Sequence, residues 1–120
     1  MNSTWDQYNE MAKKEAKIKA EQWFSYRQQL MNSGRDDLVS AVEILADLGI
    51  QQKSFESGTV AGNKARIIGK EIDKSGGFRM MQDIHQLFVC ALYAKTDHTT
   101  AVILSRRLEQ AWDGIGDWLG

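Results

Sequence analysis

Apolar residues recur every three or four positions through most of this 120-residue chain, and no proline interrupts them. Proline breaks helix interiors and punctuates loops, so its absence suits a chain of helices joined by short connections. Trp5, Tyr8, Ala12, Ala16, Ala20, Trp23, Arg27 and Leu30 predict a first helix over about residues 5–32, with Thr4 and Gln7 as a capping box. Ser33-Gly34 stops it. Asp36 and Asp37 then suit the positive end of a second helix, whose apolar face carries Leu38, Val42, Leu45 and Leu48 up to a Schellman ending at Gly49-Ile50. Residues 51–60 lack periodicity and predict the longest loop. A third helix over about 61–75 carries Ala65, Ile68 and Ile72 and ends at Ser75-Gly76-Gly77. The fourth, Phe78 to Ala94, is apolar at twelve of seventeen positions, which puts it at the centre of the fold. The fifth starts from Asp97 as N-cap and runs through Ala101, Leu104, Leu108, Ala111, Trp112, Ile115 and Trp118, its last turns weakened by Gly114 and Gly116. The one stretch with β character, residues 101–104, continues in helical phase. The expectation is an all-α fold, a single domain over residues 1–120 built as a bundle of about five helices.

An apolar fraction of 42% with 26% charged residues is that of a folded chain rather than a disordered one. The formal net charge of −1 conceals bands. Residues 33–57 hold two basic and five acidic groups, and residues 58–82 hold five basic and two acidic ones. Banded rather than biased charge makes nucleic acid an unexpected partner. Cys90 is the only cysteine, which excludes an internal disulfide and fits a reducing compartment. The opening Met-Asn-Ser-Thr-Trp-Asp has no signal-peptide character, and the longest uncharged apolar run, Ile84 to Ala94, is far short of a membrane span. A cytoplasmic protein is expected, with no membrane association.

No catalytic or cofactor signature emerges. Gly58 to Lys64 imitates a phosphate loop, but its glycines are one residue too close, Ala65 replaces the magnesium-binding Ser or Thr, and no strand precedes it. Gly114-Ile-Gly116 fails as a dinucleotide fingerprint because residue 119 is leucine. Asp83, His85 and Cys90 lack the spacing of three or four that puts metal ligands on one helical face. Cys90 beside Val89, Ala91 and Leu92 reads as a small inert hydrophobe rather than a nucleophile for His98. Lys13, Lys14, Lys17 and Lys19 interleave with Glu10, Glu15 and Glu21, and the Glu10–Lys14 and Glu15–Lys19 spacings describe a solvated face. A better candidate for anion contacts is Lys64, Arg66, Lys70, Lys74 and Arg79, which could instead face the acidic second helix.

The tail poses the sharper question, because chain ends usually fray and a tryptophan buries on the order of 200 Å² when it packs. Trp112 and Trp118 must dock on the protein's own core or serve a partner. Tryptophan and tyrosine are enriched at binding hot spots, which makes Trp5, Tyr8, Trp23, Trp112 and Trp118 the candidate interaction surface. A first helix of roughly 40 Å is also longer than a compact domain needs, leaving part of its face for dimerisation. The expected role is therefore that of a small non-enzymatic accessory protein acting through helix-face contacts with itself or another protein. No catalytic residue, cofactor or metal is expected. The alternative is a regulatory helical module that binds a small molecule or nucleic acid in a pocket lined by Met80, Met81, Phe88 and the tryptophans.

Two stretches, Gly76-Gly77-Phe78 followed by Met80-Met81 and the sequence LEQAWDGIGDW over residues 108–118, resemble small bacterial helical proteins without an assigned activity. The resemblance spans the last third of the chain. It implies a bacterial, cytoplasmic origin and carries over no site residues.

Overall fold

A computed structural model describes residues 4–120. The described residues are helical throughout, with no strand, in the order α1 (Thr4–Asn32), α2 (Asp36–Gln52), α3 (Val60–Lys95) and α4 (His98–Ala111). Thr4 already lies inside α1, so the position that would cap it falls outside the described residues. Asp97 caps α4 as expected, its carboxylate accepting from the Thr100 amide at 2.7 Å. Thr59 does the same for α3, accepting from the Gly62 amide at 3.0 Å.

Four helices replace the expected five, because the stop at Ser75-Gly76-Gly77 is a one-residue bend within α3. Gly77 has φ 69 and ψ −162, a conformation outside the reach of other residues. The size of the bend follows from one side chain. The Trp112 Nε1 donates to the Ala65 carbonyl at 2.9 Å, while the Trp112 ring lies 6.3 Å from that of His85. Ala65 and His85 would stand about 30 Å apart in a straight helix, so the two halves of α3 fold back on each other.

The core fills the space between those halves, α2 and α4. Val42, Leu45, Met81, Phe88, Leu92, Leu104 and Leu108 are fully buried, and α1 contributes Trp23 alone as a buried residue. The predicted centrality of the Phe78–Ala94 segment holds, since Met81, Ile84, His85, Phe88, Cys90, Ala91, Leu92 and Tyr93 are all buried.

Two helix ends differ from expectation. α2 does not finish at Gly49 but runs to Gln52, where Lys53 takes the left-handed cap at φ 58 and donates its amide to the Gly49 carbonyl at 2.7 Å. Gly49 lies inside the helix, where the Phe55 ring packs so close that a Cβ would stand 2.9 Å from it. The last helix does not reach Trp118 but ends at Ala111. Gly114 (φ 83) and Gly116 (φ 54) instead wind residues 112–118 into a hook, closed by the Gly114 amide on the Trp118 carbonyl at 3.0 Å.

Candidate interaction surface

Alanine and the straight-chain residues Lys, Glu and Gln dominate α1, and their high helix propensity keeps the segment helical where little packs against it. Its inner face shows in the burial pattern: Ala12, Ala16, Lys19, Ala20, Trp23, Arg27 and Leu30 are half-buried or buried against the body. Trp5 stands seven residues before Ala12 and so shares that face. Nothing covers it. Every residue from Thr4 to Met11 is exposed, Trp5 at 69%, and the Trp5 and Tyr8 rings stack on each other at 5.9 Å. Met11 and Ile18, seven apart, continue a second exposed apolar line below Tyr8. The segment projects: the radius of gyration is 15.0 Å, against about 13–14 Å for a compact chain of this length.

The other tryptophans leave the candidate surface. Trp23 and Trp112 are core, and Trp118 packs edge-on to Trp112 at 5.2 Å, beside His85 at 5.6 Å, with its Nε1 donating to the Glu109 carbonyl at 2.9 Å. Partners cannot reach side chains that the monomer already covers. The alternative pocket is likewise filled by its own residues, since Met81 and Phe88 are fully buried and Met80 only edges a shallow groove beside Leu38 and Ile44.

The basic candidates separate. Lys64, Lys70, Lys74 and Arg79 are exposed, while Arg66 turns inward to the Ala111 and Asp113 carbonyls at 2.7 and 3.1 Å. None of the five forms an ion pair with the acidic second helix. Its Glu43 and Asp47 pair with Lys95, and Glu43 also pairs with Arg27. The Glu10–Lys14 and Glu15–Lys19 spacings close no ion pair among the described residues, and Lys19 sits instead over the Tyr93 ring at 6.0 Å.

Sequence reasoning missed two residues that organise this molecule. Phe55 emerges from an aperiodic loop yet is buried, and its being the loop's only aromatic was the available signal. His85 sits among Phe88, Trp112 and Trp118, with its Nε2 donating to the Ser105 carbonyl at 3.0 Å. Burial holds its pKa below the usual 6.5, outweighing the Ser105 bond and the Glu109 carboxylate 3.8 Å away. Burial likewise pushes the Cys90 thiol up, away from reactive thiolate character. The unfolded chain takes up the His85 proton near pH 6.5, whereas the folded chain resists it to lower pH. The unfolded state then binds more protons, so stability is full above that pH and falls as the solution is acidified through it. Thermal melts of the wild type should drop between about pH 7 and pH 5, and His85→Gln should flatten that slope.

Among the described residues, no three or more His, Cys, Asp or Glu side chains converge on a metal-sized site, and no helix is long and apolar enough to cross a membrane. No protein-family model, curated protein or solved structure matches the chain.

Proposed function

We propose that this is a non-enzymatic interaction protein that self-associates through the projecting end of α1, Thr4 to Met11, and the outer face that continues it, two copies pairing these segments antiparallel. The observation that carries the reading is Trp5: it continues the face that buries Trp23, yet lies beyond the body that would cover it. A contiguous exposed apolar patch on a soluble chain marks an association site. Charge selects the occupant. α1 carries Glu10 ahead of the exposed Lys13, Lys14 and Lys17, with Glu15 the one acid among them, so a second copy running antiparallel brings each Glu10 toward the other's lysines. A parallel copy would set like charges side by side. The antiparallel pair is a closed two-fold assembly, in which the same patch serves both partners.

Sedimentation equilibrium at micromolar concentration should give twice the 13.6 kDa chain mass. The double variant Trp5→Ser, Met11→Ser should sediment as monomer with unchanged helix content, because both side chains are exposed. A monomeric wild type, or a double variant that still dimerises, overturns the proposal.

A further inference from the structure

Arg66 of α3 and Arg107 of α4 line one groove of about 370 Å³, together with Phe55, Glu56, Ser57 and Gln110. Each guanidinium is fixed by one arm. Arg66 gives its Nη1 to the Ala111 and Asp113 carbonyls, and Arg107 gives its Nη1 to the Lys53 carbonyl. These bonds hold the two cations in place while leaving further N–H groups on each planar fork. Neither guanidinium has a carboxylate partner among the described residues, although ion pairs form elsewhere on the surface. Two like charges thus share a concave site whose lining holds a single carboxylate, that of Glu56, paired with neither. Its volume falls in the range of small-molecule pockets, and Ala111 adds an apolar group to the polar lining.

We infer that this groove binds a small organic phosphate, its phosphoryl oxygens bridging Arg66 and Arg107 and its organic body lying over Ala111. Guanidinium forks match phosphate oxygens in pairs, and positions fixed in advance reduce the ordering cost of binding. Ser57 and Gln110 add neutral hydrogen-bonding groups to the same lining. Glu56 is the one opposing charge. Its backbone, not its carboxylate, bonds to Ser54 and Thr59, so the carboxylate can be neutralised without cutting a bond of the fold. The groove takes no residue from α1, so this inference stands apart from the dimer reading.

Phenyl phosphate titrated at low ionic strength, followed by amide chemical shifts and calorimetry, tests it. A single saturable site should appear with shifts at Ser54, Ser57 and Gln110, inorganic phosphate should bind more weakly, and phenol should produce no shifts there. Glu56→Gln should tighten phenyl phosphate binding severalfold, and Arg107→Gln should weaken it by about tenfold or more. Should the loss of the Lys53 bond unfold the arginine variant, the glutamate variant decides alone. The inference is overturned if no saturable shifts occur, if they gather on the exposed Lys64 to Arg79 cluster, or if Glu56→Gln binds no tighter than wild type.

Discussion

Replacing Trp112 with alanine should lower the unfolding free energy by about 3–5 kcal/mol, the cost of removing a large buried side chain whose cavity cannot fully collapse. The ring is completely buried, touches both halves of α3, and donates to the Ala65 carbonyl. Domains of this kind are stable by only about 5–15 kcal/mol, so urea titration should find the variant close to its unfolding threshold. Trp112→Phe keeps most of the volume and loses only a bond that the Ala65 carbonyl accepts beside its helical one, at an expected cost of about 0.5–1.5 kcal/mol. Deleting residues 117–120 strips Trp118 from the same cluster and should approach the alanine variant in severity. A Trp112→Ala chain that melts within about 1 kcal/mol of wild type would contradict the clamp described above.

Gly62→Ala should be nearly as damaging, at about 3 kcal/mol, for a different reason. A Cβ on Gly62 would overlap the Glu56 carbonyl oxygen and stand 2.9 Å from that of Phe55. Backbone atoms cannot rotate aside as a side chain can. The 53–59 loop would have to lift off α3, uncovering Phe55 and weakening the Thr59 cap on the Gly62 amide. Thermal melts with far-ultraviolet circular dichroism should show lowered stability with helix content retained below the transition. An unchanged midpoint would mean that the loop stands farther from the helix than these contacts require.

Periodicity made the helices legible, because each buries one stripe, and Asp97 was legible because an N-cap is a local chemical act. The ends were not. Gly49 carries the residue type of a helix terminus, yet the helix runs through it and its missing side chain makes room for Phe55, six positions later. Gly114 and Gly116 look like tolerated flaws in a helix until their positive φ values show a hook wound against α3. The glycines of residues 76–77 gave the place of the break in α3 but not the fold-back, which depends on Trp112 reaching Ala65 and His85 together. The candidate surface was half legible for a similar reason. Trp5 and Trp23 share one face of one helix, and only the place where the body ends decides which is covered.

The Trp112 clamp also sets an order of events. During synthesis, all four helices leave the ribosome before the residue that joins the two arms of α3, so secondary structure can form well before the core closes. A nascent chain halted just ahead of residue 112 would hold the earlier helices while Ala65, Gly69 and His85 lack the ring that packs against them. Such fragments present the exposed apolar surface that chaperones and proteases act on. Addition of residues 112–118 is thus the step at which the two arms of α3 can close and this surface leaves the reach of quality control.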